Sequence, residues 1–275
     1  MTLLVRDEED IVAANLDHHL ALGVDVVVAT DNNSTDGTVE ILREYERQGV
    51  LRLRFERADD YAQHRWVTDM ARMAASDLGA DWVINNDADE FWWPRSGDLA
   101  ATLAAVPPDV SVVVAHRYDF VPRPEDGRPW WERMTVRRAR PVTPEGEPLP
   151  PKAAHRADPD VVVRQGNHEV EGPVVEGGTI RDDGAIEILH FPVRAYAQME
   201  NKVLKGGAAY ERNRELPREV GHRWRALYRI HQEGGFPDAY AAMVPSDADV
   251  EAGLADGSLV EDTRLRDQLL RRSLR

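Results

Sequence analysis

Strand-like and helix-like segments alternate four times within about the first 86 residues, joined by short connections. Few folds accommodate that rhythm. "TLLV" reads as a short buried strand. "RDEEDIVAANLDHHLALG" reads as a helix, with acids crowding its first turn, where the helix dipole favours them, and Gly23 closing it. "VDVVVAT" is apolar throughout, as a parallel strand covered on both faces should be. A loop of turn formers, "DNNSTDGT", leads to the helix "TVEILREYERQG", which Gly49 ends. The strand "LRLRF", the helix "DDYAQHRWVTDMARMAASDLGA" and the strand "DWVIN" complete the series. The expectation is an α/β protein, a doubly wound, mainly parallel twisted sheet flanked by helices. Such sheets bind ligands at the carboxyl ends of their strands. Here those ends are Arg6, Asp31 and the cluster Asp87–Glu90.

The cluster poses a chemical question. In "DWVINNDADEFWW" a buried strand runs into three carboxylates within four residues. On extended backbone Asp87 and Asp89 point the same way. A hard cation such as Mg²⁺ or Mn²⁺ takes one or two carboxylates and completes its shell with substrate phosphates. The pair therefore suits a metal held against a diphosphate, with a solvated acidic turn as the plainer alternative. Glu90 is read as turned inward to brace the loop.

Composition narrows the field. A formal net charge of -15 argues against a dedicated nucleic-acid binder. The absence of cysteine excludes disulfides and thiolate zinc sites. No apolar run approaches the roughly 20 residues of a membrane helix, and "MTLLVRDEED" has the pattern of neither a secretory signal nor a transit peptide. The expectation is a cytoplasmic enzyme without an integral membrane segment.

Taken in order, "RDEEDIVAANLDHHLALGVDVVVATDNNSTDGTVEIL", "ADWVINNDADEF" and, more weakly, "ILHFPVRAYAQMENKVLKGG" resemble the family 2 glycosyltransferases of the GT-A fold, in the branch with a DxDEF metal motif. The resemblance implies a nucleotide-diphospho-sugar donor (UDP-, GDP- or dTDP-linked), a divalent cation, Mn²⁺ or Mg²⁺, and inversion at the transferred sugar. It places Arg6 and Glu8 beside base and ribose, Asp31 on the base, Asp87 near ribose or sugar hydroxyls and Asp89 on the metal. His190, ending "AIEILH", would complete the metal shell, and imidazole leans that shell toward Mn²⁺. The sequence departs from the family at Asp7, where Asn is usual, and at Asn32-Asn33, where many members have Asp-Gly. One GT-A domain over residues 1–275 is expected, with 1–95 binding the nucleotide sugar and an elaborated half, 96–275, binding the acceptor.

An inverting transfer is a single displacement and needs a base for the acceptor hydroxyl. Glu169, His168 and Asp119 are the candidates, with Glu90 also weighed. Residues 191–230 hold nine Lys or Arg against four Glu, a local reversal of sign. Lys202 and Lys205, before Gly206-Gly207, would meet the leaving diphosphate on a lid, and Arg65 is a further donor contact. Trp92, Trp93, Trp130 and Trp131 either stack on a sugar or plug the core. His19 reads as a satisfied helix residue. The acceptor could be a glycan, a lipid-linked glycan or a small molecule. Other readings are a metal-dependent nucleotidyltransferase, disfavoured by the glycine-free "RDEED" loop, or phosphohydrolase, which would want more metal ligands at the strand ends, and a non-catalytic nucleotide-sugar or glycan-binding module, which need not keep both Asp87 and Asp89.

Overall fold

The computed structural model describes residues 1–60, 62–214 and 216–273. In chain order the strands are β1 (Thr2–Val5), β2 (Val27–Asp31), β3 (Leu51–Phe55), β4 (Trp82–Asp87), β5 (Glu90–Pro94), β6 (Val110–Asp119), β7 (Val136–Arg138), β8 (Lys152–Arg156), β9 (Val162–Val163), β10 (Val170–Glu171), β11 (Thr179–Arg181), β12 (Ile186–His190) and β13 (Leu259–Glu261). The main sheet runs β3-β2-β1-β4-β8-β6-β12-β5, with β11 alongside β6. The four strands read from the N-terminal alternation pair in parallel, β1 lying between β2 and β4. β8 then joins β4 and β6 antiparallel. The parallel register sets Val5 opposite Asp31 and Leu4 opposite Asp87. Two carboxylates 56 residues apart in sequence thus flank the end of one buried strand.

Helices α1 (Val12–Ala21), α2 (Thr38–Arg47) and α3 (Gln63–Ser76) are those of the alternating pattern. α3 lays Val67, Met70, Ala71 and Ala74 on Val28, Val83, Val112 and Ala153. Burial of each larger side chain there contributes about 1.5–3 kcal/mol. One expectation needs correcting. α1 starts at Val12 and has no acid in its first turn. One of those acids serves a different helix: Glu9 accepts the Gly37 amide at the start of α2, where the loop's own Asp36 accepts the Thr38 amide. The dipole argument holds, but for the helix that folding brings alongside.

The chain divides into two compact units. Met1–Ala58, Ala62–Arg117 and Leu149–Leu189 form the first, and residues 59–61, 118–148 and 190–275 the second. Residues 149–189 thus return to the first unit after the excursion 118–148. The second unit pairs β7 with β13 antiparallel and has its own core of Val193, Met199, Val203, Leu227 and Phe236. Its helix Tyr196–Lys202 continues through a π-helical turn, Val203–Gly207, into Ala208–Arg212. A Cβ on Gly207 would lie 2.5 Å from the Tyr228 Cβ. That glycine therefore permits close packing, where the sequence suggested a flexible hinge. The C-terminal helix spans Arg264–Ser273. No helix among the described residues is long and apolar enough to cross a membrane.

Candidate active site

The turn after β4 is held from three sides. Asn15, inside α1, donates to the Ala88 carbonyl at 2.9 Å and to the Glu90 carbonyl at 2.8 Å, while its own oxygen accepts from Asn86 Nδ2 at 3.0 Å. His18 meets the Trp92 carbonyl at 2.9 Å. The Trp92 amide donates to His19 Nε2, so His19 carries its proton on Nδ1 and donates it to the Asn15 carbonyl. Burial holds the His19 pKa well below its ordinary value. His19 is a structural helix residue, as expected.

Beneath the turn lies a cation that the sequence reading did not single out. Lys152, at the start of β8, is 1% exposed. Its ammonium ion-pairs with Asp87 Oδ2 and lies 3.2 Å from Glu90 Oε1, which Arg117 approaches at 3.5 Å. Burial alone would lower the Lys152 pKa, but the charges of Asp87 and Glu90 outweigh it and hold the pKa above the ordinary lysine value. The other oxygen of Asp87 accepts from Asn167 Nδ2 at 3.0 Å and Gln63 Nε2 at 3.3 Å. Asp87 is thus engaged through both oxygens, as the partner of Lys152 and two amides. Glu90, 1% exposed, faces inward as a brace, which takes it out of the set of proton acceptors.

Asn167 and His168 come from a tight loop. Gly166 has φ +80° and Asn167 φ +62°, a pair of left-handed residues gripped by the start of α3. Gln63 accepts the Gly166 amide and Gln165 the His64 amide. Left-handed backbone at a non-glycine residue costs energy and persists where surroundings enforce it. Asn167 is fully buried, and its Oδ1 has no hydrogen-bond partner among the described residues. Burial, with the Lys152 charge adding to it, lowers the His168 pKa to about 4. His168 is therefore neutral near pH 7 and a weak base, with one ring nitrogen on the Pro151 carbonyl at 2.9 Å. Glu169 next to it is exposed.

The first and second strand ends are joined by the residues that depart from the family pattern. Asp7 has φ +54°, a conformation that Asp and Asn tolerate best among non-glycine residues. Its carboxylate accepts the Thr35 amide at 2.7 Å and the Thr35 hydroxyl at 3.1 Å. Asn32 reaches across to the Glu56 and Ala58 carbonyls. Asp31, 2% exposed, accepts the Ser34 amide on Oδ2, while Oδ1 has no hydrogen-bond partner among the described residues. A buried carboxylate oxygen left open at a strand end is ready for a ligand donor. Glu8, next to Asp7 in sequence, is buried with its amide on the Thr38 hydroxyl, and Arg6 is half-buried just after β1. Arg65 is exposed on the first turn of α3.

In the second unit the structure joins two residues expected in separate roles. Asp119 Oδ1 and His190 Nδ1 lie 2.6 Å apart, each at the end of its strand. A carboxylate that fixes one imidazole nitrogen is how both metal-binding and proton-accepting histidines are oriented. Lys202 ends its helix and Lys205 lies in the π-helical turn of the same unit. Trp92 is fully buried and Trp130 packs on Phe191, so those two are core and not sugar platforms. Trp93 stacks on His18.

Among the described residues no group of three or more His, Asp or Glu is arranged to hold a metal ion by protein ligands alone. Asp89, on the turn itself, fits a looser demand. It can act as a single carboxylate to a cation whose other oxygens come from phosphates and water.

A twisted, largely parallel half-sheet with acids at its strand ends and a mixed second half is the GT-A arrangement. The family model described as glycosyl transferase family 2 matches residues 4–154. The chain belongs to that family. Among solved structures it is similar to S. aureus TarS 1-349, at 15% identity and a TM-score of 0.44, over 88% of this chain and 82% of that one. It is also similar to the same protein in complex with UDP-GlcNAc, at 12% identity and a TM-score of 0.46, over 83% and 70%. A comparison with curated protein sequences returns no match.

Proposed function

We propose that this chain transfers a sugar from a nucleotide-diphospho-sugar to an acceptor hydroxyl, with inversion at C1 and with the help of Mn²⁺ or Mg²⁺. The observation that carries the reading is the pair of acids at the ends of β2 and β4. Among the described residues Asp31 keeps a buried oxygen without a hydrogen-bond partner, open to a base N–H, and Asp87 is oriented by its ion pair with Lys152. Arg6 and Glu8 flank the nucleoside, and Asp87 accepts from donor hydroxyls. Asp89 would hold the cation, whose chemistry when bound is to neutralise charge on the leaving diphosphate. Lys202 and Lys205, in the second unit, are the further candidates for neutralising a leaving diphosphate. As the acceptor oxygen bonds to C1, the bond from C1 to the diphosphate oxygen breaks and the hydroxyl proton passes to a base. Glu169 takes that role. Its exposed carboxylate can meet an acceptor arriving from solvent, whereas His168 is partly buried with one ring nitrogen on the Pro151 carbonyl.

Release of nucleoside diphosphate from UDP-, GDP- and dTDP-sugars, with and without an acceptor panel, tests this. One donor class should turn over. Glu169→Gln should lower turnover by about 10²–10⁴-fold with nucleotide affinity unchanged. Tight nucleotide binding without release from any donor would leave a binding module instead.

A further inference from the structure

The second unit contains a cavity of about 600 Å³ lined by Glu211, Arg218, His222, Arg225, Tyr228 and Arg229, among others. Its floor is unusual. Arg225 is 4% exposed, yet none of its three guanidinium nitrogens makes a hydrogen bond among the described residues. Glu211 lies 3.5 Å from Nη1 and the Tyr210 ring 5.7 Å from the guanidinium carbon. Both attract the charge and neither satisfies its donors. A buried guanidinium without acceptors is costly, and native structures rarely keep one without a partner to come.

The surroundings say what that partner carries. Glu211 is shared, since Arg218 also donates to it at 3.2 Å. Among the described lining residues three arginines thus share one carboxylate, a local excess of two positive charges in a chain whose net charge is -15. The planar fork of arginine matches paired oxygens on a phosphate or carboxylate. Two surplus charges match a dianion. The cavity is also shaped for the purpose. Gly221, at φ +72° before the helix His222–Gln232, lets the Tyr210 ring pack where a Cβ would lie 2.5 Å away. We propose that this cavity binds a phosphate group borne by a ligand of the protein, with Arg225 as its central contact and Arg218 and Arg229 at the rim. The proposal uses none of the residues assigned to the donor and stands independently of that reading.

Inorganic phosphate is the probe. It would be titrated at pH 8 and constant ionic strength into the full chain, against acetate, with binding followed by calorimetry and by the thermal midpoint. Wild type should bind phosphate saturably with a Kd on the order of 1 mM, and acetate should not compete. Arg225→Met should weaken binding at least about tenfold, and Arg229→Gln, an exposed rim position that the fold does not need, several-fold. The Arg229→Gln result keeps the test decisive even if Arg225→Met fails to fold. No saturable binding by wild type, equal binding of acetate, or affinity unmoved in both variants would overturn the proposal.

Discussion

At the scale of single residues, the site is organised by one buried lysine. Removing the Lys152 ammonium as Lys152→Met leaves Asp87 and Glu90 facing each other without their shared counter-charge. Breaking a buried pair in this way typically costs about 3–5 kcal/mol. Urea denaturation should show that loss, and a change under about 1 kcal/mol would mean that Lys152 contributes little. The pKa of Lys152 lies above its unfolded value, so its contribution is complete through neutral pH and fades only as pH rises through the folded value. The histidines act in the opposite window. His155 and His168 are both held neutral, with pKa values lowered to about 4 by burial. Below pH 6.5 the unfolded chain takes up protons that the folded chain refuses. Stability should therefore fall as pH drops from about 6.5 toward 4, and His168→Gln should flatten part of that slope in urea midpoints measured against pH.

At the scale of elements, the turn Asp87–Glu90 is fixed by a helix and the Asn167 loop by its own backbone. Asn15→Leu would strand the carbonyls of Ala88 and Glu90, at about 1–3 kcal/mol, and loosen the turn that carries Asp89. Both the denaturation midpoint and nucleotide affinity should drop; an affinity unchanged at lower stability would separate the turn from the site. Gly166→Ala meets two obstacles, φ +80° and a Cβ 2.7 Å from the His168 ring, and should displace the loop that presents Asn167. The strands β1 to β4 and helices α1 to α3 were legible because period and turn residues are local signals. The acids at the strand ends were legible for the same reason, since a strand shows where it stops. Lys152, Asn167 and Asn15 were not. Each acts on the turn from 65 to 80 residues away, Lys152 and Asn167 on Asp87 and Asn15 on the Ala88 carbonyl, and nothing local marks a lysine in "PPKAAHR" as buried. The helix start at Arg6 was misplaced because one of its acids, Glu9, holds the Gly37 amide at the start of α2, a partner that only folding supplies.

For the whole molecule, a net charge of -15 means that the folded chain works against its own repulsion. Raising salt from about 20 to 200 mM shortens the screening length, and the thermal midpoint should rise. A midpoint that falls would show that exposed ion pairs outweigh that repulsion. The central claim is donor binding at the strand-end acids. Its most direct test is calorimetric titration of UDP, GDP and dTDP, with and without Mn²⁺, into wild type and Asp89→Ala. The account predicts that one of the three binds at about micromolar Kd, only with the cation, and that Asp89→Ala loses it. Absence of metal-dependent binding by all three, or the same binding by Asp89→Ala, would contradict it.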